Sequence, residues 1–255
     1  GDRIFNGATG RLLVTLPTGG RGYRMLNTQN PTYMPALADM DNDGTLEVVT
    51  GNTVYKINIT NTAGTERNTV ATPVTAKGGL KDGFVSVADI DMDGYLDVVT
   101  INNGSEPGNN NRPILTVWNG RTGDIIAGPA RPSVDGGGGS RVFIGNVDDD
   151  VYPELFFSYI SRLVRFDYDK DAPVASRLKE TWNVLTSDVS GGTTLSMFDF
   201  DQDGQAELVY RDMTHLRIID GKDGNKREEF SCSSATHSEY PVVVDFKNGS
   251  QNYKK

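Results

Sequence analysis

The chain reads as short apolar runs punctuated by glycine and acid. "FVSVADI", "SRVFIGNV" and "TTLSMFDF" each run into a cluster of carboxylates, and "LEVVTG", "LDVVTI", "PELFFSYI" and "AELVYRD" follow those clusters. The runs are β-branched or aromatic and too closely bounded by glycine for amphipathic helices, so they predict strands. "VYKINI" places Tyr55, Ile57 and Ile59 on one face, and "LVRFDY" does the same with Val164, Phe166 and Tyr168, the period of two expected of a strand. "RIFNGATGRLLVTL", "TVWNGRTGDIIAGP" and "RIIDGKDGNKREEF" each give strand, Asn/Asp-Gly, a second Gly, strand. The Asn-Gly and Asp-Gly pairs are expected to supply the positive φ angles of tight hairpin turns.

These signals repeat. The acidic clusters align as "DMDNDGTLE", "DIDMDGYLD", "NVDDDVYPE" and "DFDQDGQAE", starting at Asp39, Asp89, Asn146 and Asp199, at steps of 50, 57 and 53 residues. A decayed fifth copy, "DFKNGSQNY", starts at Asp245, 46 residues further on, with Lys247 at its third position. Each unit is strand, acidic turn, strand, strand, Asn/Asp-Gly turn, strand. Four antiparallel strands in about 50 residues is the content of a propeller blade. The expected fold is all-β, a β-propeller of four-stranded antiparallel blades. About four complete blades (34–79, 80–135, 136–187 and 188–238) lie between the end of one blade (1–33) and the start of another (239–255). The chain is then a single β-propeller domain or, as the partial ends favour, a fragment of a longer one. No stretch reads as a long helix, and "FDYDKDAP", Phe166 to Pro173, reads as a turn.

Charge sharpens the pattern. The spans 39–47, 89–97, 146–154 and 199–207 hold 16 of the 34 acids and no Lys or Arg, so 18 acids face 25 bases elsewhere. The net charge of −9 is therefore local to four sites. No Lys/Arg cluster builds a phosphate-binding stripe, which argues against nucleic acid. No apolar run reaches the roughly 20 residues of a membrane-spanning helix, and no signal segment opens the sequence. Cys232 is the single cysteine, so no internal disulfide forms.

The acidic spacing suits a hard cation. Calcium takes six to eight oxygens, and a short loop supplies them from alternate residues. The first copy offers Asp39, Asp41, Asp43, the Thr45 carbonyl and Glu47, with Gly44 permitting the bend. The second offers Asp89, Asp91, Asp93, the Tyr95 carbonyl and Asp97, and the fourth Asp199, Asp201, Asp203, the Gln205 carbonyl and Glu207. A solvated turn is the plain alternative for any one copy, but three copies with an acid at the same four offsets favour Ca2+. The third copy keeps Asn146, Asp148, Asp150 and Glu154 but has Val151 in place of the glycine. A β-branched residue is disfavoured at positive φ, so this loop is either reshaped or empty, and a fourth ion is left open. A helical calcium hand is excluded: Thr50, Thr100 and Tyr210 stand where it needs Glu, and the flanks are strands.

The pattern D-x-D-x-D-G-x-L-[DE] between two strands, at this period, resembles the FG-GAP/VCBS repeats of integrin α-chain propellers and many bacterial exported proteins. The resemblance implies structural calcium in the turn between a blade's first two strands, with partners binding the opposite face. That face would carry the interblade loops 21–24, 78–82, 136–141 and 190–194, where Arg24, Lys81 and Arg141 lie, and the loop 102–112 with Arg112. Catalytic motifs are missing: His215 and His237 fall on none, and "DGGGGSR" precedes no helix that could cradle a phosphate. The leading expectation is a calcium-stabilised, non-enzymatic module of an exported or cell-surface protein, serving adhesion or carbohydrate/protein recognition. Two alternatives stand beside it: a polysaccharide-degrading propeller resembling rhamnogalacturonan lyases, and a passive domain of a larger surface protein.

Overall fold

The structure is a computed structural model and describes residues 3–16, 34–59, 69–76, 79–102, 112–233, 240–248 and 251–254. It is all-β, with antiparallel sheets. β1 (Arg3–Phe5) pairs with β2 (Leu12–Thr15). Four four-stranded sheets follow, each made of consecutive strands. The first holds β3 (Ala36–Ala38), β4 (Glu47–Val49), β5 (Thr53–Ile59) and β6 (Thr69–Ala76). The second holds β7 (Phe84–Ala88), β8 (Asp97–Asn102), β9 (Ile114–Asn119) and β10 (Ile125–Ala130). The third holds β11 (Phe143–Gly145), β12 (Glu154–Tyr159), β13 (Arg162–Tyr168) and β14 (Leu178–Leu185). The fourth holds β15 (Leu195–Phe198), β16 (Glu207–Arg211), β17 (His215–Asp220) and β18 (Lys226–Ser231). A last pair, β19 (Asp245–Asn248) and β20 (Gln251–Lys254), covers the decayed fifth copy. The only helical element among the described residues is a 3-10 turn at Val174–Ser176, inside the connection that "FDYDKDAP" begins.

The sheets stack face against face. Val98 packs with Met40, Val49, Val54 and Trp118, joining the first and second sheets. Its neighbour Val99 points the other way and joins Leu115, Val117, Leu155, Phe157 and Val164, between the second and third sheets. Phe156, Leu163 and Trp182 meet Leu195, Leu208, Tyr210 and Ile219, between the third and fourth. Both faces of an inner strand are thus covered, and β8 and β12 are buried along their whole length. This extends the expectation for "LVRFDY": Val164, Phe166 and Tyr168 do share a buried face, but Leu163 and Arg165 on the other face are buried too. The first strands of successive sheets, β3, β7, β11 and β15, touch in that order. Hydrogen bonds cross the joints as well: Trp118 Nε1 donates to the Gly51 carbonyl at 3.2 Å, and Trp182 Nε1 to the Gly221 carbonyl at 3.1 Å.

The Asn/Asp-Gly turns form, by a different device from the one expected. Positive φ falls on the second glycine (Gly10 67°, Gly123 77°, Gly224 76°) and not on Gly7, Gly120 or Gly221. The Asn or Asp caps the turn instead: Asn119 Oδ1 accepts the amides of Arg121 at 3.0 Å and Thr122 at 3.1 Å, as Asn6 and Asp220 do in theirs. Gly120 and Gly221 stand at close approaches, since a Cβ at Gly120 would strike the Met40 side chain and one at Gly221 the Ala206 carbonyl and Val147.

Candidate metal loops

Each acidic turn joins the first two strands of a sheet in one register. The residue before the loop pairs with the acid that ends it: Ala38 with Glu47, Ala88 with Asp97, Gly145 with Glu154, Phe198 with Glu207. That terminal acid is 0–1% exposed in all four. One of its oxygens accepts the amide of the loop's second residue, at 3.0 Å from Met40, 3.0 Å from Ile90, 2.7 Å from Val147 and 2.8 Å from Phe200. The spacing alone did not show this bond, though the apolar residue at position two of every copy was its sign. Met40, Ile90 and Val147 are buried there and Phe200 half-buried, and each presents its amide to the acid.

Loops one, two and four share a backbone. Position four is left-handed (Asn42 φ 59°, Met92 60°, Gln202 62°), and so is the glycine at position six (Gly44 83°, Gly94 91°, Gly204 93°). The first carboxylate then accepts amides from within the loop: Gly44 N reaches Asp39 Oδ2 at 2.8 Å, Gly94 N reaches Asp89 Oδ2 at 2.9 Å, and Gly204 N reaches Asp199 Oδ2 at 3.0 Å. The position-five carboxylates Asp43, Asp93 and Asp203 accept the amides of Thr45, Tyr95 and Gln205. Asp39, Asp41 and Asp43 bring ligand oxygens within 4.8 Å of one another, as do Asp89, Asp91 and Asp97, and Asp199, Asp201 and Asp203. Glu47, Asp93 and Glu207 stand outside these tightest sets.

The donor chemistry fits a hard divalent cation. Glu47 Oε1, Asp97 Oδ1 and Asp199 Oδ1 are buried with no hydrogen-bond partner, an arrangement that is costly for a carboxylate unless a cation completes it. Burial pushes the Asp97 carboxyl up to about 7 and raises Glu47 and Glu207 as well. A cavity of about 230 Å³ beside the first loop is lined by Asp41, Glu47 and Arg121. Lys56 reaches Asp43, and Arg227 lies 2.9 Å from Glu207, but their side chains are 40% and 34% exposed and have room to withdraw.

The third loop differs. Asp148, Asp150 and Glu154 converge within 4.8 Å, yet no residue of 146–154 has positive φ. Val151 has therefore reshaped the turn rather than strained it, and it is 63% exposed. Asn146 Nδ2 donates to the Asp150 carbonyl at 2.7 Å. Burial pushes Glu154 up to about 7.

Of the basic residues expected on the opposite face, Arg24 lies outside the described residues. Lys81 is exposed. Arg112 is engaged at home, donating to the Pro132 carbonyl at 3.0 Å and pairing with Asp135 at 3.3 Å. Arg141 donates through Nε to the Val85 carbonyl at 3.1 Å and lines a cavity of about 320 Å³ with Met34, Phe84, Phe143, Thr194 and Tyr240. Phe84 and Phe143 begin β7 and β11, so this cavity lies at the starts of first strands whose ends carry the acidic turns. Elsewhere, His215 belongs to an ionic network with Thr214, Arg217 and Glu229 around buried Asp212. His237 lies outside the described residues. No helix among the described residues is long and apolar enough to cross a membrane.

No protein-family model matches the chain, and no curated protein sequence matches it. Among solved structures it is similar to the V. cholerae biofilm matrix protein Bap1, with a TM-score of 0.52 and 15% identity, over 83% of this chain and 57% of that one. The likeness is one of fold. A second, to rhamnogalacturonan lyase YesW, has a TM-score of 0.44 and 17% identity over 77% of this chain and 42% of the lyase, too low to argue from. The chain spans less than two thirds of the length of either protein.

Proposed function

We propose that the chain is a β-propeller, or part of one, of the FG-GAP/VCBS kind, whose acidic turns hold structural calcium. On this reading it serves outside the cell or on its surface as a non-enzymatic recognition module for a polysaccharide or protein. One observation carries the metal reading: turns of one register and backbone gather carboxylates around buried oxygens that lack a partner. Sheets buried on both faces, stacked in chain order with their first strands in contact, support the propeller. The fold likeness to a biofilm matrix protein agrees with an extracellular setting. Calcium near millimolar there would fill loops of modest affinity.

The ligand is assigned to the cavity bounded by Arg141, Phe84, Phe143 and Tyr240, where rings can stack on an apolar face and a guanidinium can take a carboxylate. Glycan-array binding by the wild type and Arg141→Ala, each with and without chelator, tests the assignment. Binding that survives both treatments unchanged removes it. The same basic and aromatic grouping favours a second reading, an enzyme acting on an acidic polysaccharide. Appearance of unsaturated products from pectic polymers would establish that reading over the first.

A further inference from the structure

We propose that Arg165 is the built-in cation of the third loop: its guanidinium takes the place that a metal ion fills in loops one, two and four. The chain then binds three ions, and the joint between the third and fourth sheets holds without metal. This rests on the calcium reading above.

The strand ladders make the case. Two residues beyond the terminal acid, each second strand pairs with a fixed position on the third: Val49 with Val54, Val99 with Val117, Phe156 with Arg165, Val209 with Ile218. Three of the four partners are aliphatic. The exception is an arginine, and it occurs in the one unit whose loop has lost its glycine. Arg165 is 2% exposed, a position such a side chain keeps only when its charge and donors are met.

They are met on every side. Nη2 bonds Asp148 and lies 3.8 Å from Glu154 Oε1, so it faces two of the three acids that converge in this loop. Nε donates to Asp167 Oδ1 at 2.6 Å. Nη1 donates to the carbonyls of Lys222 at 2.6 Å and Gly221 at 3.3 Å, in the turn between β17 and β18 of the next sheet. The same loop reaches that sheet again through Asp149, which accepts from Lys222 Nζ at 3.0 Å and Gln205 Nε2 at 3.1 Å. Arg227 in the fourth loop is the contrast: its side chain is 34% exposed, that loop keeps its left-handed positions, and Asp199 Oδ1 remains unpartnered.

Calcium bound per chain, measured by equilibrium dialysis with elemental analysis on the full chain, decides the matter together with hydrogen exchange in chelator. Three ions are expected, with 146–154 keeping its exchange protection in EDTA while 39–47, 89–97 and 199–207 lose theirs. Four ions overturn the Arg165 assignment alone, as does loss of protection at 146–154 along with the others. No ion at all overturns the calcium reading and this inference with it, so the two failures are told apart. Arg165→Val with Val151→Gly restores the pattern of the other units and is expected to bring a fourth ion. A folded double variant that still binds three counts against the proposal. If that variant fails to fold, the wild-type stoichiometry and exchange pattern decide without it.

Discussion

Asp97→Asn should stabilise the metal-free protein and forfeit the stabilisation that calcium adds at its loop. Asp97 is 0% exposed, with one oxygen on the Ile90 amide at 3.0 Å and the other without a partner. In the metal-free chain its charge is opposed first by burial and then by Asp91, and its carboxyl is pushed from 3.8 to about 7. At about 1.4 kcal/mol for each tenfold change in proton affinity, that penalty is at most ~4 kcal/mol. Relaxation reduces it, and an asparagine of the same shape should relieve about 2 kcal/mol, or roughly 4–8 °C in Tm for a domain of this size. Because the folded-state value stands above the unfolded one, the penalty grows as pH rises from about 4 and is complete only above about 7. The gain should therefore be present at pH 8 and nearly absent at pH 4. In calcium the advantage narrows: a site with a dissociation constant near 0.1 mM contributes about 1.4 kcal/mol at 1 mM metal, and the variant forfeits it. Differential scanning fluorimetry in EDTA and in calcium should show a raised Tm in the first and a smaller calcium-induced increment in the second. A lowered Tm in EDTA, or an undiminished increment, would refute the reasoning.

Other predictions address the scaffold. A Cβ at Gly83 would meet the Ile101 carbonyl, which the β-ladder fixes, whereas one at Gly120 meets only the end of the Met40 side chain. Gly83→Ala should therefore cost about 3 kcal/mol or more in urea unfolding and Gly120→Ala about 1; equal costs would show that the β7–β8 edge yields. Asp212 is held below the ordinary carboxylate range: burial opposes its charge, but the Ser187 and Thr214 amides and Arg217 more than offset it. A depressed value stabilises the fold above about pH 4, and that stability is lost as pH falls further. Asp212→Asn should cost on the order of 3 kcal/mol at pH 7 and flatten the acid limb of a pH–stability curve. An unchanged limb would mean that Asp212 takes no part in acid unfolding.

Local repetition was legible in the sequence and long-range substitution was not. The acids at offsets one, three, five and nine fixed the turns and their register, because a loop of that length between paired strands has few ways to close. Nothing in "LVRFDY" marked Arg165 as different from a solvated strand residue: Asp167 two positions on is an ordinary strand neighbour, while its other partners are Asp148 in the preceding acidic turn and two carbonyls more than 50 residues on. The glycine of Asn119-Gly120 was assigned to φ, whereas its reason is the proximity of Met40 from another sheet. Burial on both faces was hidden for the same reason: period two reports which residues share a side of a strand, and says nothing of whether the second side is also covered.

The chain's two tryptophans divide between two of the joints. Trp118 bonds Gly51 across the first and second sheets, and Trp182 bonds Gly221 across the third and fourth. Intrinsic fluorescence is therefore a spatially resolved signal in this molecule. With one indole replaced by phenylalanine at a time, the emission of the survivor follows the opening of its own joint, and the two halves of the stack can be timed separately.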